Sequence, residues 1–157
     1  MVLLELRIPP VGVFLIIGVM MYILQISGYT LEIELLYRMI IIGPLALLGA
    51  YVALMGVIQF RRFKTTVNPF KPHESSSLVT TGVYSWSRNP MYLGLLCYLI
   101  ALSVYFAAPI TLIGPIFFKL YMDRFQIQPE ERFLVELFGD EYLRYSKKVN
   151  RWIGSHD

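Results

Sequence analysis

Apolar positions fall into long uncharged runs separated by short polar ones. Ile8 to Ile26 carries no charge and is about the length needed to cross roughly 30 Å of hydrocarbon. It lacks a basic start and a small-residue cleavage site, so a retained helix is expected rather than a signal peptide. A short segment with Gly28, Glu32 and Glu34 leads to a second uncharged run, Met39 to Phe60. There Gly49, Ala53 and Gly56 share one helical face, where small side chains let helices approach closely in lipid. Residues 61–89 are polar and hold Pro69, Pro72, Ser75 to Ser77 and Gly82, and a loop of that length tends to be functional. From Pro90 to Phe118 no residue is charged. One helix of that length would reach about 44 Å, too long for an untilted crossing, and Ala107-Ala108-Pro109 offers a break. The pattern predicts a hairpin of helices over 90–106 and 109–127. Beyond it, apolar residues at 133, 134, 137, 138, 142, 145 and 149 follow a helical period, with Glu136, Asp140, Glu141, Arg144, Lys147 and Lys148 on the other face. Gly139 interrupts this segment and predicts a turn or two short helices.

Composition strengthens the picture. The 157 residues are 56% hydrophobic and 16% charged, with mean hydropathy +0.56, whereas soluble domains are closer to a quarter charged. The expected fold is an all-α integral membrane protein with about four transmembrane helices and a C-terminal amphipathic segment. It forms one membrane domain: two helices in 1–60, a loop over 61–89, the hairpin over 90–127 and a terminal segment over 128–157.

Charge orients it. Of fourteen Lys and Arg residues, five lie in 61–89 and seven in 119–157. Arg7 precedes the first helix, and Arg38 alone falls near the opposite side. The positive-inside rule places both termini and the long loop in the cytoplasm, where the basic side also suits anionic membrane lipids. Cys97 is the sole cysteine, so no intrachain disulfide forms. His73 and His156 stand far apart and no metal-ligand cluster is expected. No dinucleotide or phosphate-loop pattern and no soluble nucleic-acid face is present.

Two proline-marked polar junctions carry the candidate chemistry. At the first, Asn89 is a favoured helix cap and Pro90 a favoured first helical residue, so capping alone accounts for that pair. Arg88 beside a helix N-terminus suits a carboxylate or phosphate, with a lipid headgroup contact as the plainer alternative. At the second, Glu130 and Glu131 follow Pro129. They either offset a helix dipole or hold a cation or a proton. Lys119 and Asp123, four residues apart, either neutralise each other or belong to a site.

The run L-V-T-T-G-V-Y-S-W-S-R-N-P-M-Y-L-G (78–94), then P-E-E-R-F-L, then F-G-D-E-Y-L-R-Y, resembles the isoprenylcysteine carboxyl methyltransferase family and its phospholipid methyltransferase relatives. The likeness covers about residues 78–152. It implies an integral membrane methyltransferase using S-adenosylmethionine, with a lipophilic or lipid-anchored substrate such as a carboxylate. It also implies a cofactor pocket between the hairpin's cytoplasmic end, the loop and the C-terminal segment. Arg88, Asn89, Pro90, Tyr92 and Gly94 match the first motif, although many members carry histidine where Asn89 stands. Glu130 and Glu131 match the paired glutamates, expected near the cofactor's amino group, and Tyr142 and Tyr145 match the tail. In that pocket Arg88 suits the cofactor's carboxylate, and Tyr84, Trp86 and Tyr92 suit its sulfonium by cation–π contact. Arg88 and Glu131 are the catalytic candidates. The alternatives from other classes are an NADPH-dependent membrane reductase and a non-enzymatic binding module with the same fold.

Overall fold

A computed structural model describes residues 5–63 and 77–156. The Pro69, Pro72, His73, Ser75 and Ser76 features of the long loop lie outside them. Among the described residues the chain is helical, with one isolated β-bridge between Val149 and Ser155.

Helix α1 spans Pro10–Ser27 and α2 spans Leu35–Arg62. Pro10 starts α1 where a missing N–H costs nothing, and Gly28 ends it in extended backbone. Helix α2 carries Pro44 in its interior and ends on Arg61 and Arg62, which favour the negative end of its dipole. Both helices are long and apolar enough to cross a membrane, and only 22% and 17% of their apolar windows are buried. Leu15, Ile16, Val19, Leu47, Leu48 and Leu54 all face outward. A core helix of a soluble protein buries such residues; lipid is the surrounding that suits them.

Helix α3, Pro90–Phe106, packs most extensively against α2. Gly94 is the reason they approach: a Cβ there would lie 2.6 Å from the Gly49 carbonyl oxygen and 2.7 Å from the Ala53 Cβ. Gly56 lies one turn further along, against Pro90 and Met91. The small-residue face of α2 is thus an intramolecular seam. Helix α3 ends at Ala107, whose φ of 50° is left-handed, and a 3-10 turn over Pro109–Leu112 starts the return. The break falls where the Ala-Ala-Pro run predicts it.

Helix α4, Ile113–Met122, returns against α1, where Gly114 makes room for Met21. It passes through a π-turn, Asp123–Ile127, into α5, Gln128–Phe138. Although α5 begins beside Pro129, it does not begin from non-helical backbone. Backbone angles stay helical through Ile127 (φ −66°, ψ −49°) and Gln128 (φ −60°, ψ −44°). Pro129 can neither donate to the carbonyl of Phe125 nor fit a regular α-turn above it. The π-turn widens the helix at that point, and the backbone N–H of Leu6 donates to Phe125 O at 3.0 Å. Glu130 and Glu131 therefore face no bare helix N-terminus, and offsetting a dipole does not account for them.

Gly139, at φ 52°, hinges α5 to α6, Asp140–Lys148. The last residues fold back beneath the 3-10 turn Gly82–Ser85 as a strap. Arg88 N donates to Asn150 O (3.0 Å), and Gly154 N donates to Trp86 O (2.8 Å). One apolar core joins α1, α3 and α4 through Ile17, Met21, Leu99 and Phe118. A second lies under the site, where Val79, Val83 and Tyr84 meet Tyr142, Tyr145 and Val149.

Candidate active site

The turn before α3, the start of α5, the middle of α6 and the strap meet at a cleft of about 670 Å³. Arg88, Glu131, Tyr142 and Arg151 line its charged end; Val135 and Leu143 are among its apolar contacts. Arg88 reaches it because its own backbone is tied to the strap at Asn150. Glu131 reaches it from α5, and Tyr142 stands across from both on α6.

Glu131 sits between two arginines. Arg88 NH1 lies 2.8 Å from Oε1, and the two side chains are 12% and 16% exposed. Arg151 grips the same carboxylate as a fork, with Nε 3.0 Å from Oε1 and NH2 2.6 Å from Oε2. That bond raises the pKa of the Arg151 guanidinium above its ordinary value. Arg88 NH1 also donates to Tyr142 Oη at 3.0 Å. Burial pushes the Tyr142 phenol up, Glu131 adds to this, and Arg88 opposes it. The Nε–H of Arg88 is buried and has no acceptor among the described residues.

The neighbouring glutamate points elsewhere. Glu130 Oε1 accepts a 2.6 Å hydrogen bond from Tyr92 Oη. Burial pushes its carboxyl up to about 8, Tyr92 pulls it back, and Glu131 adds to the rise. Adjacent positions on a helix lie about 100° apart, so one glutamate faces the cleft and the other faces α3.

The remaining sequence candidates divide in the same way. Asn89 is not a side-chain cap. Its Nδ2 donates to the Arg151 carbonyl at 3.0 Å, while its own carbonyl accepts from Leu93 N at 2.9 Å and opens α3. Pro90 is buried as the first residue of α3. Gly94 meets α2. Tyr84 is buried in the core beneath the cleft; its carbonyl accepts from Tyr145 Oη at 2.7 Å, and burial pushes its phenol up. Among the aromatic side chains, Tyr142 lines the cleft, whereas Tyr84, Trp86 and Tyr92 do not. Lys119 and Asp123 pair at 2.7 Å, and Trp152 Nε1 also donates to Asp123 at 2.9 Å, which makes the pair an anchor for the strap. Arg151 escapes sequence reasoning. It lies past the amphipathic run, and only its charge marks it.

The model for phospholipid methyltransferases matches residues 37–141. The chain belongs to that family. Its matched region runs from the start of α2 into α6 and includes both proline-marked junctions. A protein-S-isoprenylcysteine O-methyltransferase of Saccharomyces cerevisiae is 33% identical over 129 residues, covering 80% of this chain and 52% of that protein. One of Xenopus laevis is 42% identical over 79 residues, covering 48% of this chain and 26% of that protein. The chain thus spans about half the length of the first and a quarter of the second. An uncharacterized protein of Haemophilus influenzae is 44% identical over 63 residues, which is 40% of this chain and all of that protein. No solved structure matches the chain.

Proposed function

We propose that this chain is a multi-pass membrane methyltransferase that uses S-adenosylmethionine and acts on a lipophilic or lipid-anchored acceptor. The observation that carries this is the convergence of Arg88, Glu131 and Tyr142 on one cleft, from three separate elements, in a member of a methyltransferase family. Helices α1 and α2 and the hairpin formed by α3 and α4 cross the bilayer. The termini and the cleft face the cytoplasm, where the Lys and Arg excess lies.

The cleft suits the amino-acid end of the cofactor. Glu131 offers a carboxylate to the ammonium, and Arg88 offers a guanidinium to the carboxylate. The unpartnered Nε–H of Arg88 is a buried donor that a ligand oxygen would satisfy. The Tyr142 ring, with Arg88 5.9 Å from its centroid, gives a face for a cation. When bound, S-adenosylmethionine supplies an electrophilic methyl group on a sulfonium.

The protein's part is to orient the acceptor in line and exclude water. Glu131 is tied by two arginines and Glu130 faces Tyr92, so neither of the paired glutamates stands ready to take a proton. This favours an acceptor that is already ionised, such as a carboxylate, over an amine. Protein-S-isoprenylcysteine O-methyltransferases among the relatives point the same way. Incubation of the purified chain with labelled S-adenosylmethionine and a membrane extract tests the reading. Label is expected in a lipophilic ester that mild alkali cleaves. Label in an alkali-stable amine would overturn the carboxylate assignment, and no transfer by a folded chain that has extract and cofactor would overturn the activity.

A further inference from the structure

In the ligand-free arrangement arginines occupy the acceptor positions of Glu131, so an ammonium reaches it only by displacing one of them. Among the described residues, the hydrogen bonds to its Oε2 come from Arg151 alone, at 2.6 and 3.1 Å. Oε1 is shared by Arg88, at 2.8 Å, and Arg151. The two arginines differ in freedom. Arg88 is 12% exposed and held by Tyr142 as well, whereas Arg151 is 37% exposed and lines the rim.

The main chain around Arg151 is pinned on both sides. Asn150 O accepts from Arg88 N, the Arg151 carbonyl accepts from Asn89, and on the far side the Trp152 indole Nε1–H anchors its residue by donating to Asp123. The Arg151 side chain is the more exposed of the two arginines, and without it Oε2 loses the donors it has among the described residues.

We propose that Arg151 is a cofactor-recognition residue that works by exchange of ion pairs. A zwitterionic amino-acid group opens the Arg151–Glu131 pair: its ammonium takes Oε2, and its carboxylate takes the freed guanidinium. One internal pair is replaced by two pairs to the ligand, and no charge is left unmatched. A ligand bearing only one of the two charges strands either Glu131 or Arg151 without a partner, which is costly in a partly buried site. The exchange therefore selects an intact amino-acid end. Asn89 acts as a positioning residue, because its bond to the Arg151 carbonyl fixes the pivot. This gives Asn89 a task that needs a donor and no titratable group.

The proposal rests on the S-adenosylmethionine reading, and two probes separate their failures. The full chain in nanodiscs is titrated by calorimetry with S-adenosylhomocysteine and with its decarboxylated analogue, which keeps the ammonium. Arg151→Met is expected to lower the preference for S-adenosylhomocysteine over the decarboxylated analogue at least about tenfold, because the ligand carboxylate loses its guanidinium while the ammonium no longer has to displace one. The same variant is expected to bind the decarboxylated analogue as well as, or more tightly than, the unaltered chain, because nothing then competes for Oε2. Arg151→Lys keeps the charge without the fork, guards against a folding defect, and is expected to lower that preference by less. An equal change for both probes, or no change for either, overturns the exchange and leaves the cofactor reading standing. Failure of the unaltered chain to bind S-adenosylhomocysteine overturns both.

Discussion

The Tyr92 phenol donates to Glu130 at 2.6 Å, and that bond turns one of two adjacent glutamates away from the cleft that the other lines. The pair therefore divides into an inward acid that joins α5 to α3 and an outward one that gathers arginines. The family motif treats them as one feature, but their surroundings give them different chemistry.

Stability should depend on pH through Glu130. Burial holds its carboxyl near 8 instead of its ordinary 4.5, so the folded chain keeps the proton more tightly than the unfolded chain does. This contribution is full below about 4.5 and is lost as pH rises through about 8. Glu130→Gln retains an acceptor for Tyr92 and removes the titration. Melting temperatures in detergent from pH 5 to 9 should fall for the unaltered chain and fall less steeply for the variant. Parallel curves would show that Glu130 is not the group responsible.

Gly94 should matter for packing and not for ligand binding. A Cβ at this position would press on the backbone of Gly49, which cannot turn aside as a flexible side chain would. Gly94→Ala is expected to cost about 1–3 kcal/mol of stability through overpacking. Its affinity for S-adenosylhomocysteine, measured below its melting temperature, should stay within about twofold, since it makes no charge-assisted bond to lose. A large loss of affinity without loss of stability would place Gly94 in the cofactor site instead.

Asn89 should be replaceable according to its ability to donate. Asn89→Ala removes the bond to the Arg151 carbonyl and is expected to cost about 1 kcal/mol. Asn89→Asp is expected to cost more, because a carboxylate would face that carbonyl oxygen. Hydrogen exchange at residues 150–154 should report both changes as loosening of the strap. Equal protection in both variants would mean that the bond does not hold it.

The sequence shows the helices and their punctuation well. Pro90, Ala107 and Gly139 each act through local backbone geometry, so the ends they mark are legible from neighbouring residues. Pro129 misleads for the same reason. Its local preference is for a helix start, but a π-turn and the distant Leu6 N–H let the helix run through it. Within the site, the motif brings out Arg88, Glu131 and Tyr142, which the fold gathers. It does not separate them from Gly94 and Tyr84, whose neighbours across α2 and the inner core are set by tertiary packing. Arg151 leaves no local signal. Its importance comes from a strap that returns across the chain to reach α5.

Arg88 should be needed for binding more than for folding. Arg88→Ala leaves Glu131 still paired with Arg151, so only moderate destabilisation is expected. Affinity for S-adenosylhomocysteine should fall roughly 10- to 100-fold, as for loss of a charged hydrogen bond. Calorimetry and melting curves on the same preparation separate the two effects, and a loss of stability with affinity retained would contradict the assignment.

Whether the cleft holds S-adenosylmethionine is open to direct measurement. Calorimetric titration of the intact chain in nanodiscs with S-adenosylhomocysteine tests it most directly. Saturable binding at one site per chain is expected, which Glu131→Gln weakens strongly and Gly94→Ala does not. Absence of binding by a chain shown to be folded, or binding that Glu131→Gln leaves unchanged, would contradict it.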